Sequence, residues 1–78
     1  MKELKKKYLI AFGHNLKHLL VKHNTDAMTV ASIGKLEPKQ VYRVLNGEHA
    51  PSLGTIFAIA KGLNLPPKEL FNFEFSND

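Results

Sequence analysis

The sequence has 78 residues, 44% of them hydrophobic, and no cysteine, so we expect one small domain with a core and without disulfide bonds or thiolate metal sites. Residues 1–47 carry nine Lys and Arg against three acids (+6), and residues 48–78 carry two against four (−2). This asymmetry predicts a surface that faces a polyanion, and it favours nucleic acid over a membrane. No apolar run has the length of a signal sequence or a membrane span, so we expect a cytoplasmic protein.

Apolar side chains recur at spacings of three and four within residues 5–23, which predicts a first helix. They are Tyr8, Phe12, Leu16, Leu19 and Leu20. Asp26 follows a break and is a good N-cap for a second short helix, which we expect to end at Ala31 or Ser32. We interpret residues 1–7 as a basic tail and residues 8–71 as the domain core of a single domain, 1–78.

The sequence of residues 36–47 predicts a third short helix, because it contains residues that favour a helix start and a helix end. Pro38 suits the first helical position, and Gln40 can reach back to the amide of Glu37 at the cap. Gly47 would end the helix in the left-handed conformation. Helical geometry gives this segment two different faces. The face predicted to be buried holds Val41, Val44 and Leu45, and the outer face holds Lys39, Tyr42, Arg43 and Asn46.

The last third of the chain predicts the most buried helix, a short final helix and an aromatic tail. Ser52 is a candidate N-cap for the apolar helix, and Pro67 opens the final helix. The side chains predicted to face inward are Leu53, Ile56, Phe57, Ile59, Ala60, Leu63, Leu70 and Phe71. In the tail, residues 72–78, Phe73 and Phe75 would either fold back over the core or pack against a partner. The elements add up to five short helices and an all-α fold.

Taken together, these segments resemble the phage-repressor and Cro-like (Xre) DNA-binding domain. The matching residues are Phe12–Leu19, Val30-Ala31, Val41, Asn46-Gly47, Pro51–Ile56, Ile59-Ala60, Leu63 and Glu69–Phe71, and they extend over about residues 8–71. The resemblance implies a compact five-helix, lambda-repressor-like fold with a helix-turn-helix. It also implies a regulator of transcription that binds double-stranded DNA as a homodimer and reads the major groove with helix 37–46. We expect the last helix and the tail to form the dimer.

The resemblance also assigns roles to individual residues. The base-reading positions fall on Pro38, Lys39 and Arg43, and Gln40 and Tyr42 lie beside them. Lysine and arginine suit this role because long cationic donors pair well with guanine O6 and N7. Phosphate contacts are expected from Lys17, Thr25 and Asn46.

The sequence departs from the family pattern at several of these positions. Ala27 stands where the family commonly has a phosphate-binding glutamine, and Pro38 offers no donor. Glu37 and Glu48 bring negative charge close to the expected path of the phosphates. Lys35 occupies the place of the turn glycine, with Gly34 before it, so either the turn is shifted by one residue or Lys35 is left-handed.

Three other interpretations compete with DNA binding. The same fold serves as the antitoxin of toxin–antitoxin pairs, so an antitoxin-like or protein-interaction domain with weak or no DNA binding is the main alternative. His14 and His18 have the spacing of two metal ligands on a helix, but the sequence offers no evident third ligand, and we expect no metal or other cofactor. No nucleophile, base and orienting group converge in the sequence, so we expect no enzyme. We expect no small-molecule effector either, because the sequence shows no second domain to hold a ligand. The operator, the regulated genes and the direction of regulation stay open.

Overall fold

The computed structural model describes residues 2–75 and, from residue 3 onward, their side chains. Within that range the chain forms four α-helices and one 3-10 helix, without a strand. Their bounds are α1 Lys2–Lys22, α2 Ala27–Gly34, α3 Pro38–Leu45, α4 Leu53–Leu63 and the 3-10 helix Pro67–Phe71. The predicted all-α fold is confirmed, and its fifth helix is a short 3-10 turn. Residue 1 of the predicted basic tail and residues 76–78 of the predicted C-terminal tail lie outside the described range.

Helix α1 begins at Lys2, three residues before the predicted helical pattern, which starts at residue 5. It includes Lys5, Lys6 and Lys7, which the sequence assigns both to the helical pattern and to a basic tail. Lysine, leucine and glutamate are good helix formers, and no glycine or proline interrupts the segment. The periodicity of apolar residues could not show this, because it records only the part of a helix that packs against the core. The lysines are therefore held on a helix.

The core is built from one apolar face of every helix. Its most buried large side chains are Leu16, Val30, Val41, Val44, Ile59 and Leu70. Glycine allows α4 to approach α2 closely, since a Cβ atom at Gly62 would lie 2.5 Å from the carbonyl oxygen of Val30. The core fixes the position of α3 because two of these side chains come from that helix.

Two side chains of α4 lie outside the core, against the prediction. Leu53 is 69% exposed and Phe57 is 56% exposed, whereas Ile56 is 6% exposed and belongs to the core. The apolar residues of α4 extend nearly all the way round the helix, so their spacing could not identify the inner face. At its outer face, α4 therefore presents a leucine and a phenylalanine four residues apart.

The turn between α2 and α3 uses a left-handed lysine. Lys35 has φ 58° and ψ 43°, and the amide of Leu36 donates to the carbonyl of Ala31 at 2.8 Å. The turn is therefore not shifted by one residue. Gly34 has another role: a Cβ atom there would overlap the carbonyl oxygen of Ala58 in α4. Glycine at this position permits helix contact, while the strained conformation falls on the next residue.

The aromatic tail folds back onto α1. The ring of Tyr8 lies 5.8 Å from that of Phe73 and 5.1 Å from that of Phe75, measured between centroids. Phe12 lies 5.2 Å from Phe71 and 6.3 Å from Phe73. These separations suit edge-to-face and tilted aromatic pairs. Of the two alternatives for the tail, the structure shows folding back over the domain, and Phe71 is partly exposed rather than buried.

Candidate nucleic-acid interface

Helix α3 is held at both ends by the residues that the sequence indicated. At its start, Pro38 is the first helical residue and the amide of Glu37 donates to Oε1 of Gln40 at 3.0 Å. At its end, Gly47 is left-handed with φ 69°, and the amide of Asn46 donates to the carbonyl of Tyr42 at 3.0 Å. The cap has a consequence for recognition, because it occupies one lone pair of the Gln40 oxygen and orients the NH2 group and the second lone pair that remain for other partners.

The outer face of α3 presents the predicted base-reading residues. Val41 and Val44 are buried, and Pro38 is half-buried at the start of the helix. Lys39, Gln40 and Arg43 are exposed, and Tyr42 is 47% exposed. The helix therefore offers two cationic side chains, an amide and a phenol to the surroundings, on the side opposite to its contacts with the core.

A groove between α1, α3 and the start of α2 brings together the three predicted phosphate contacts. Lys17 comes from α1, Thr25 from the loop before α2, and Asn46 from the end of α3, and Tyr42 lines the groove beside them. We call this surface the α1–α3 groove. His14 also lines it, one helical turn before Lys17. His14 stood out in the sequence only for its metal-ligand spacing from His18, although its spacing from Lys17 places both on one face.

Gly13 sets how closely the two helices of this groove approach. A Cβ atom at Gly13 would lie 2.5 Å from the carbonyl oxygen of Leu45 and 2.7 Å from that of Val44. Real side chains do not come so close, so any other residue would separate α1 from the end of α3. The positions of Lys17 and Asn46 relative to α3 therefore depend on this glycine.

Acidic groups modify the interface at two points. The side-chain amide of Asn46 donates to Oε2 of Glu48 at 3.1 Å, so a predicted phosphate donor is already paired with a carboxylate. Asp26 caps α2 by accepting from the backbone amide of Thr29 at 2.8 Å. This hydrogen bond lowers the pKa of Asp26 below its ordinary value of 3.8. Ala27, which follows Asp26, is buried, so this position contributes no polar group to the groove.

The side chains of the described residues were compared with the requirements of a metal site, and the helices with those of a membrane span. His14 and His18 are exposed on α1, and no group of three or more His, Cys, Asp or Glu side chains converges within the described part of the chain. Across residues 2–75, every helix is too short or too polar to cross a bilayer.

Comparison with known proteins identifies the type of domain that the sequence resembles. Residues 15–76 match the family of Cro/C1-type HTH DNA-binding domains. Among solved structures, the restriction-modification controller protein C.AhdI from Aeromonas hydrophila is similar, with a TM-score of 0.76 and 32% sequence identity. The similarity covers 81% of this chain and 96% of that chain. No curated protein sequence gives a significant match.

Proposed function

The chain belongs to the family of Cro/C1-type helix-turn-helix DNA-binding domains, and from this we propose that it is a sequence-specific regulator of transcription in the cytoplasm. Its ligand is double-stranded DNA, whose major groove is read by α3. The observation that carries the proposal is that the exposed face of α3 adjoins the α1–α3 groove. One helix offers exposed Lys39 and Arg43, and the adjoining groove offers Lys17, Thr25 and Asn46. Direct base contacts and positioning phosphate contacts are the two kinds that specific recognition requires.

The two cations of α3 have the chemistry for reading guanine. Lys39 and Arg43 lie four residues apart and are exposed on the same side of the helix. Each can donate to the O6 and N7 atoms at the major-groove edge of a guanine. One lone pair of the Gln40 oxygen accepts from the cap amide, and the NH2 group together with the second lone pair can contact a base. Tyr42 provides a phenol hydroxyl that can donate or accept a hydrogen bond. Pro38 offers no donor and fixes the backbone at the start of the helix.

The α1–α3 groove provides the phosphate contacts of the proposal. Lys17 supplies an ammonium group, Thr25 a hydroxyl and Asn46 a side-chain amide. Each of these groups can donate a hydrogen bond to a phosphate oxygen. Glu48 opposes this arrangement because it accepts from Asn46 and carries negative charge. On approach of DNA, we expect the Asn46 amide to exchange the carboxylate for a phosphate oxygen.

We propose that two copies bind as a homodimer through the outer face of α4. Helix α4 has apolar side chains on both sides, but only one side packs against the core. On the other side, Leu53 and Phe57 lie four residues apart and are mainly exposed. Such a helix usually packs on two sides, and a second copy provides the second surface. Phe73 and Phe75 are engaged with α1, so α4 replaces the tail in our proposal. A two-fold interface of this kind gives the paired reading helices that two half-sites require.

The alternative is an antitoxin-like or protein-interaction domain of the same fold with weak or no DNA binding. The contact between Asn46 and Glu48 favours it, together with the buried Ala27 where a phosphate donor was expected. The exposed cations of α3 favour DNA. The similar structure is that of a restriction-modification controller protein, so the genes of such a system are the first candidates for the regulated genes.

Selection of bound duplexes from a random pool tests the proposal directly. Sequence-specific binding predicts enrichment of a guanine-containing motif, repeated at a spacing of about one helical turn if the dimer forms. Binding of every sequence with equal affinity would contradict base reading. Absence of salt-dependent binding to any duplex would favour the protein-interaction alternative.

A further inference from the structure

The first turns of α1 place two lysines beside the end of α3. Lys5 and Lys6 are exposed and line a second groove together with the loop that follows α3. That loop contributes Asn46, Gly47 and His49. We call this surface the lysine groove. The sequence does not show this surface, because it does not reveal that the loop after α3 lies beside these lysines.

We propose that the lysine groove is an additional phosphate-binding site, which holds the DNA backbone beyond the segment contacted by α3. The inference rests on the proposed DNA-binding function. It assigns the N-terminal part of α1 a role in affinity and none in sequence discrimination, because phosphate contacts carry no direct information about the bases.

The two grooves form one continuous surface. Ile10 and Asn46 line both the α1–α3 groove and the lysine groove. Lys6 and Lys17 are eleven residues apart on the same helix, which corresponds to about 16 Å along its axis. Phosphates of one strand follow each other at about 3.4 Å along the duplex axis, so cations this far apart reach different phosphates. The lysine groove therefore extends the polyanion-facing surface without interruption.

The charges in the lysine groove favour an anion. Lys5 and Lys6 bring two positive charges, and Glu48 brings one negative charge that is engaged with the Asn46 amide. His49 adds an imidazole that can donate a hydrogen bond. Gly47 lies against Ile10, with only 3.1 Å between the position of an added Cβ atom and the Ile10 Cα atom. The loop is thereby held next to α1, and the lysines remain beside it.

Salt dependence of binding to a mixed-sequence duplex tests this site without knowledge of the operator. The test variant is the double substitution Lys5→Ala/Lys6→Ala in the full chain. The matched control, Lys7→Ala/Lys68→Ala, removes the same charge. Lys7 lies on the same helix but outside the groove, and Lys68 lies in the 3-10 helix. Thermal unfolding of all three proteins establishes that each variant is folded.

Each phosphate contact contributes about 0.9 to the slope of log affinity against log salt, so the test variant should have a slope smaller by about 1.8 per bound copy. Between about 50 and 200 mM salt, the unaltered protein should then lose about tenfold more affinity than the test variant. The control should keep the original slope, and the order of preference among duplexes should stay unchanged in both variants.

Three results would contradict the inference in different ways. Equal slopes for the unaltered protein and the test variant would remove the lysine groove and leave the proposed function intact. Equal reductions in test and control variants would show a general effect of net charge and no particular site. Failure of the unaltered protein to bind any duplex would overturn the proposed function and this inference together.

Discussion

The side-chain amide of Asn15 donates a hydrogen bond to the carbonyl oxygen of Leu70 at 3.0 Å. The same nitrogen donates to the carbonyl of Glu69 at 3.1 Å. One NH2 group in the middle of α1 thereby satisfies two carbonyls of the 3-10 helix, more than fifty residues later in the chain. This contact ties the last element to the helix that carries both proposed phosphate-binding grooves.

Replacement of Asn15 should destabilise the domain, because partly buried carbonyls would lose their donors. We expect Asn15→Ala to lower the free energy of unfolding by about 1–3 kcal/mol. His18→Ala, at an exposed position of the same helix, is the control and should have little effect. Denaturant unfolding measures both. A loss no larger than that of the control would show that the two hydrogen bonds do not stabilise the fold.

The variant Asn15→Asp should make stability depend on pH in a defined direction. An ionised carboxylate facing two carbonyl oxygens is unfavourable, so folding should raise the pKa of the new side chain. Its protonated form can still donate one hydrogen bond. The stability of the variant should therefore be highest below the unfolded pKa and fall as the pH rises through the folded pKa. Unfolding curves between pH 4 and 7 measure this, and a stability that increased with pH would contradict it.

Two glycine-to-alanine substitutions should have opposite effects. A Cβ atom at Gly34 would overlap the carbonyl of Ala58, so Gly34→Ala should cost about 1–3 kcal/mol of stability. Gly54 lies inside α4, where the nearest atom to an added Cβ is Ser52 Oγ at 3.8 Å. Gly54→Ala should therefore stabilise by about 0.5–1 kcal/mol, since alanine loses less conformational entropy in a helix. The melting temperatures should move in opposite directions, and a common direction would contradict the packing described for α2 and α4.

Adjacent residues of α4 should differ in their effect on folding. Ile56 is 6% exposed and Phe57 is 56% exposed. Ile56→Ala should cost about 2–5 kcal/mol, whereas Phe57→Ala should mainly weaken association of two copies. Unfolding of each variant measures the first effect, and sedimentation over a range of concentrations measures the second. Severe unfolding of the Phe57 variant as a monomer would place this ring in the core, and an unchanged oligomeric state would exclude it from the proposed interface.

The sequence was informative wherever local chemistry decided the structure. The ends of α3 are examples, since Pro38, Gln40 and Gly47 occupy the predicted positions with the predicted geometry. Asp26 and Ser52 likewise cap the helices that they were expected to cap. Each of these signals depends on residues within one turn of the helix end, so a single sequence contains all the required information.

The remaining features depend on packing between distant segments. The sequence predicts Leu53 and Phe57 inside because α4 is apolar on nearly every side, and only the position of α2 identifies its inner face. The sequence suggests a role in the turn for Gly34, but the reason for glycine there is the approach of Ala58. The lysine groove could not be predicted, because it forms only where the start of α1 meets the loop after α3.

Asp26 should give acid-dependent stability to α2. Its hydrogen bond to the Thr29 amide lowers the pKa in the folded state. A carboxyl group whose pKa is lowered by folding stabilises the folded state at pH values above its unfolded-state pKa. This stability is lost as the pH falls through its folded-state pKa. Asp26→Asn keeps an accepting oxygen at the cap but removes the titration. The difference in stability between the two proteins should therefore shrink as the pH falls below about 4, and a constant difference would show that Asp26 does not contribute to the pH dependence.

Arg43→Ala should reduce sequence preference more than Lys17→Ala does. Arg43 lies on the outer face of α3, whereas Lys17 lines the α1–α3 groove. A base contact discriminates by about 1–3 kcal/mol, while loss of a phosphate contact weakens binding to all sequences about equally and lowers the salt slope by about 1. Affinities for a selected duplex and for a mixed-sequence duplex, each measured at several salt concentrations, separate the two effects. If Arg43→Ala lowered both affinities by the same factor, α3 would not read bases through this residue, and the arginine would belong with the phosphate contacts.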